Sequence, residues 1–155
     1  MTDNDIKIIN NTISRLLAIR EHSRRDLLTK LLNKNYDKDL CETQLDKYTQ
    51  ANLLSEKRFA EVMVRSRIGK GVSEQRIQRE LAEHEISHKL IEAAFSAQDQ
   101  DWDELALQVY LKKYGLEVPK DWQEQQKRNR FLQYRGFSHE QIRSVYPSLR
   151  THLSA

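Results

Sequence analysis

The chain of 155 residues has one cysteine, two prolines, four glycines and no apolar run near the roughly 20 residues that a membrane span needs. Each scarcity excludes a class of protein. A lone thiol, Cys41, cannot form an intramolecular disulfide, which argues against a stapled secreted domain and fits a reducing cytoplasm. So few prolines and glycines leave little turn chemistry for a β-sandwich or barrel, whose hairpins consume both. The stretch Met1 to Asn10 carries acids where a signal peptide would be basic and then apolar. The expectation is an intracellular, cytoplasmic protein without membrane association.

Charge is what the chain has in quantity. Charged residues make up 32%, hydrophobic ones 38%, and the mean hydropathy is −0.80. That balance suits amphipathic helices with narrow apolar stripes better than a buried sheet. The net charge is only +3, but it is unevenly spread. Residues 58–79 hold six bases against two acids, residues 80–119 three against nine, and residues 120–143 six against three. Alternating basic and acidic blocks point to a partner with a strong field, a polyanion or an acidic protein groove, more than to a neutral small molecule.

Laid on itself at an offset of 50 residues, the first two thirds of the chain match without a gap. Arg15 falls on Arg65, Ser23 on Ser73, Leu31 on Leu81 and Leu40 on Leu90. Apolar character is kept between Ile9 and Phe59, Ile13 and Met63, Leu27 and Ile77, Tyr36 and Ile86, Cys41 and Ile91, and Leu45 and Phe95. Helical spacing of these matches means that a buried face repeats. Ser23, Ser55, Ser73, Ser87, Asp101 and Ser138 each precede an amphipathic stretch and are expected to accept from the free N–H groups of a first helical turn. Ser138 with Gln141 forms a full capping box, and Ser23 with Asp26 approximates one. Stops are expected at Gly69 with Gly71, at Gly115 before Pro119, and at Gly136.

The pattern predicts an all-α fold of nine helices, at about 3–20, 23–34, 37–50, 55–68, 73–84, 87–97, 101–113, 120–135 and 138–151. Three tandem three-helix repeats, 1–52, 53–98 and 99–155, would form an elongated, curved array acting as a monomer. The third repeat is less regular, with an offset nearer 51 that the linker Gly115 to Pro119 absorbs.

Three features of the sequence suggest chemistry, and packing accounts for each. His84-Glu85-Ile86-Ser87-His88 spells the H-E-x-x-H zinc-peptidase signature, which requires one continuous helix to aim both imidazoles at the metal. The repeat instead puts a turn at Ile86 and Ser87, so no metal or other cofactor is expected. Gly69-Lys70-Gly71 lacks the spacing and the preceding strand of a phosphate-binding loop and reads as a helix-ending turn. Cys41 aligns with Ile91 and reads as packed core. Without a G-x-S-x-G or a paired-carboxylate constellation, no catalytic residue is assigned. The bases remain. Arg65, Arg67, Lys70, Arg76 and Arg79 bracket one turn, and Lys127, Arg128, Arg130 and Arg135 lie along the eighth helix, suited to meeting phosphates or carboxylates. The bland alternative is intrahelical pairing of Arg76 with Glu80 and Arg79 with Glu83.

Arg58-Phe59-Ala60-Glu61, Val64-Arg65-Ser66-Arg67, Lys70-Gly71, Arg76-Ile77-Gln78-Arg79-Glu80-Leu81 and Ile86-Ser87, in that order, resemble the second repeat of the RecX recombination regulators. Arg20-Glu21-His22-Ser23 with Leu27 and Leu31 resembles the first unit of that family, and Arg130-Phe131-Leu132, Arg135-Gly136-Phe137-Ser138 and Ile142 its last. The chain departs from the family pattern at Val72-Ser73, where a small or Gly-Pro step is usual, and at Ser55-Glu56-Lys57, where an Asp is. The resemblance implies a nine-helix protein that binds the RecA–DNA filament, limits its growth, and lowers ATP hydrolysis and strand exchange, without catalysis of its own. The nine bases named above would then contact the RecA filament or DNA. A stand-alone helical nucleic-acid-binding protein, reading bases from Ser73 to Arg79, is the competing expectation.

Overall fold

Helix starts and stops in this chain are set by short polar segments, and the computed structural model, which describes residues 3–154, shows how each works. Among the described residues there are nine helices and no strand: α1 (Asp3–Ile19), α2 (Arg24–Asn33), α3 (Lys38–Gln50), α4 (Glu56–Gly69), α5 (Glu74–Glu83), α6 (His88–Ser96), α7 (Trp102–Tyr114), α8 (Trp122–Tyr134) and α9 (His139–Ser154). Residues 1, 2 and 155, the outer ends of the expected first and third repeats, lie outside the described residues. Among the described residues no helix is long and apolar enough to cross a membrane.

The expected caps are mostly in place. Ser23, Ser55, Ser87 and Asp101 accept from the backbone N–H three residues on. Ser138 accepts from the N–H of Gln141 at 3.1 Å while its own N–H donates to the Gln141 side chain at 2.8 Å, a complete capping box. Asp37 and Asp121 cap α3 and α8 in the same way. Ser73 differs from expectation. It begins α5, but its hydroxyl is buried without a partner, crowded by a neighbouring glycine turn, and its N–H is held by the carbonyl of Arg135.

One turn occurs five times with the same bonds: at the ends of α3 and α4, with Asn52 and Gly71 at the corner, and at three places one repeat apart. At the end of α2, Tyr36 N–H donates to Leu31 O and Asn35 N–H to Leu32 O; at the end of α5, Ile86 donates to Leu81 and Glu85 to Ala82; at the end of α8, Phe137 donates to Leu132 and Gly136 to Gln133. This is the Schellman motif, which closes otherwise unpaired helix carbonyls and needs a left-handed residue at its corner. Asn35, Glu85 and Gly136 have φ of 65°, 60° and 92°. In each of these three copies an N-cap, Asp37, Ser87 or Ser138, follows two residues later. The offsets are 50 and then 51, so the repeat found in sequence is a repeat of backbone hydrogen bonds.

The described residues divide into two compact units, residues 3–62 with 81–94 and residues 63–80 with 95–154. In the first, Ile9, Ile13, Leu27, Leu31, Cys41, Leu45 and Leu54 form the core. Burial pushes the Cys41 thiol above its ordinary value, helped by Asp37 and Glu42, so it packs as an apolar side chain with little thiolate. In the second unit Ala106, Leu107, Tyr110, Leu132, Phe137, Ile142, Val145 and Leu149 form the core.

The corner residues make a contrast that can be measured. Glu85 occupies a conformation that costs an L-residue about 1–2 kcal/mol relative to glycine, whereas a Cβ on Gly136 would lie 2.4 Å from Ser73 Oγ and 2.7 Å from Arg76 Cβ. Chemical denaturation should show Glu85→Gly stabilising the protein by about 1 kcal/mol and Gly136→Ala destabilising it by about 2 kcal/mol or more. Equal effects of the two changes would contradict this account of the turns.

Candidate partner-binding surface

All nine bases singled out in the sequence fall in the second unit, and the structure divides them by what their side chains do. Around Gly71 and Gly136 two helix-ending turns are fastened to each other. The N–H of Ser73 donates to Arg135 O at 2.9 Å, Arg135 Nη1 donates to Lys70 O at 2.5 Å, and Arg76 Nη1 donates to Tyr134 O. These carbonyls lie at the ends of α4 and α8, where no intrahelical donor remains. Gly71 (φ 76°) must be glycine for space as well as conformation, because a Cβ there would lie 2.6 Å from Val109 Cγ2. Arg76 and Arg135 therefore hold the surface together as well as charging it.

Arg67 is also committed, to Glu80 through Nε at 2.7 Å. The intrahelical Arg76–Glu80 pair does not form, because Glu80 is taken from the α4 side. Arg128 departs furthest from expectation. It is 5% exposed, with Nη1 donating to Tyr110 OH at 2.6 Å and Glu117 O at 2.8 Å, Nη2 bonded to Glu124, and its guanidinium 4.5 Å from the Tyr114 ring. In the repeat register it stands where Leu27 and Ile77 stand in the first two copies, both fully buried. The linker Gly115 to Pro119 explains the exchange. Its Glu117 carbonyl turns inward and also accepts from Tyr110 OH at 3.0 Å, so this position needs donors instead of methyl groups. Arg128 is a core residue and is removed from the partner surface.

Arg65, Lys70, Arg79, Lys127 and Arg130 are exposed, and among the described residues their side chains make no hydrogen bond or ion pair. Lys70 opens onto a cleft of about 630 Å³ whose wall also carries Lys112, Lys113, Arg135, Gln108 and Phe131 and no carboxylate. Lys113 Nζ lies 4.8 Å and Arg135 Cζ 5.3 Å from the Phe131 ring centroid, so one aromatic ring steadies two cations. Lys112 and Lys113 do not stand out in the sequence because they lie in a block rich in acids. The detectable signal was helical period: Leu105, Gln108, Val109, Lys112 and Lys113 share one face of α7.

The charge of such a cleft suits polyanions or carboxylate-rich surfaces. The H-E-x-x-H segment is split by a turn. α5 stops at Glu83 and α6 starts at His88, with Glu85 left-handed between them. His84 Nδ1 shares a hydrogen bond with Ser23 Oγ at 2.7 Å and its ring lies 4.9 Å from Phe59, while His88 pairs with Glu92 in solvent. Among the described residues no group of three or more His, Cys, Asp or Glu side chains is placed to hold a metal ion. As a base-reading helix, α5 is poorly suited: Ser73 and Ile77 are buried and Arg76 is tied to a carbonyl.

Residues 55–94 match the family model described as "RecX, second three-helix domain", and residues 99–146 the one described as "RecX, third three-helix domain". The chain is 39% identical over 133 residues to the regulatory protein RecX of Vibrio vulnificus, covering 86% of this chain and 87% of that protein. The chain belongs to the RecX family. The RecX of Halorhodospira halophila is 36% identical over 137 residues, 88% of this chain and 85% of the relative. The crystal structure of RecX from Lactobacillus salivarius superposes with a TM-score of 0.76, covering 97% of this chain and 99% of that one at 20% identity, a likeness of fold.

If the arginines divide as described, their alanine variants will separate in denaturation experiments. Arg76→Ala and Arg135→Ala should each cost about 1–3 kcal/mol by leaving a carbonyl unpaired, and Arg128→Ala about 3–5 kcal/mol. Arg65→Ala and Arg79→Ala should stay within about 0.5 kcal/mol of the parent. A uniform response across the five would contradict the division.

Proposed function

We propose that this RecX family protein binds the RecA–DNA filament and restrains filament growth, ATP hydrolysis and strand exchange, and so regulates recombinational repair. It does this by binding, as a cytoplasmic monomer of three repeats, 1–52, 53–98 and 99–155, with DNA in the filament as a possible second contact. Membership of a family whose relatives carry the name regulatory protein supports a regulatory role. The observation that carries the reading furthest is the cleft of Lys70, Lys112, Lys113 and Arg135, which no acid neutralises. Four cations converging without counter-charge repel one another, and an anionic partner removes that repulsion.

Steering by such a surface weakens as salt rises. Lys70, Lys112 and Lys113 are exposed and can be changed without disturbing the core. In the triple Lys→Glu variant at these positions, inhibition of RecA ATPase on single-stranded DNA should be lost while far-ultraviolet circular dichroism is unchanged. Inhibition at the parental level would contradict the proposal.

A further inference from the structure

Helix α8 has three sides with different employment. Its inner side, with Arg128 and Leu132, is buried, and Phe131 with the following Arg135 faces the basic cleft. At about 100° per residue, Trp122, Gln126, Arg130, Tyr134 and Lys127 fall on the remaining side. Trp122 is 72% and Tyr134 79% exposed, the two most exposed aromatic side chains among the described large hydrophobics. Arg130 and Lys127 stand exposed between them. No carboxylate lies on this side, since Glu124 turns inward to Arg128 and Asp121 caps the helix.

Tryptophan and tyrosine bury large apolar areas and are seldom left in water in this way. Together with arginine they are the residue types that dominate binding energy at protein interfaces, whose centres are also poor in acids. Proteins that hold single-stranded nucleic acid set their aromatics along a groove that tracks the phosphates. Here the rings stand on the convex surface of one helix, about 18 Å apart along its axis. That geometry suits a helix laid into a groove of another protein.

We infer that the outward face of α8 is a docking surface that seats in an acidic groove with apolar pockets on a protein partner, Trp122 and Tyr134 filling the pockets and Lys127 and Arg130 pairing with carboxylates. The inference rests on the function proposed above, under which that groove belongs to the RecA filament. It adds two anchors that charge alone does not reveal. Beside Tyr134, a recess of about 450 Å³ lined by Arg79, Gln133 and Phe137 extends the surface, so a partner can reach past the end of the helix.

Trp122 is its own reporter once Trp102, the other tryptophan, is replaced by phenylalanine. Addition of RecA filament to the Trp102→Phe protein should shift Trp122 emission to shorter wavelength and shield it from acrylamide. Trp122→Ala with Tyr134→Ala should weaken binding to the filament about tenfold or more, as should Lys127→Glu with Arg130→Glu, with helicity retained in both. A bound filament that leaves Trp122 as quenchable as before, or both variants binding as the parent does, would overturn the inference while leaving the proposed function standing. Equal loss of affinity for a bare single-stranded oligonucleotide would assign the face to nucleic acid and overturn it too. Failure of the parent protein to bind filament at all would overturn both readings.

Discussion

An α-helix ends in carbonyls that nothing inside it can bond, and this molecule depends on how those carbonyls are closed. Two devices do it. Schellman turns after α2, α3, α4, α5 and α8 close them with backbone N–H groups. Guanidinium groups close others from outside: Arg58 donates to Asn52 O at 2.7 Å, Arg76 to Tyr134 O, and Arg135 to Lys70 O. A chain with four glycines and two prolines has few other means of stopping nine helices cleanly. With most apolar residues confined to narrow stripes, ordered helix ends are what keep each stripe in register with the next.

The same devices make a charged surface stiff. An exposed arginine or lysine normally contributes little because its long side chain must be ordered on binding. Here Arg76 and Arg135 are already fixed by carbonyls, and the two turns they join present Lys70, Arg79 and the wall of the basic cleft at set positions. Bases that look alike in sequence thus serve three purposes: Arg128 replaces a buried aliphatic and satisfies an inward-turned linker, Arg76 and Arg135 fasten turns, and Lys70, Arg79, Lys127 and Arg130 face outward. The proposed partner contact draws on the last group, whose positions depend on the second.

Much of the fold was legible because the information is local. Capping side chains sit within three residues of what they cap, and an offset of 50 compares like with like, which is why the turn through His84 to His88 could be placed and the zinc motif set aside. Glu85 was not legible as a left-handed corner, since nothing about glutamate announces it; only its equivalence to Asn35 and Gly136 does. The bases were legible as a set, and their division of labour was not. Whether an arginine meets a carbonyl, an aromatic ring or water depends on which element arrives beside it. Arg128 could have been suspected from its register with Leu27 and Ile77, and Lys112 with Lys113 from the face they share, but net charge over a block of sequence conceals both.

Amide hydrogen exchange at Ser73 tests the fastening of the two turns most directly. Its N–H reaches across 62 residues to Arg135 O at 2.9 Å and has no partner within its own turn. It should be protected in the native protein, and Arg76→Ala should speed its exchange together with that of Arg135 and Gly136 by a common factor, because one opening releases both turns. An unprotected Ser73 amide, or acceleration confined to one of the two turns, would contradict the claim that arginine-closed carbonyls hold this surface as one piece.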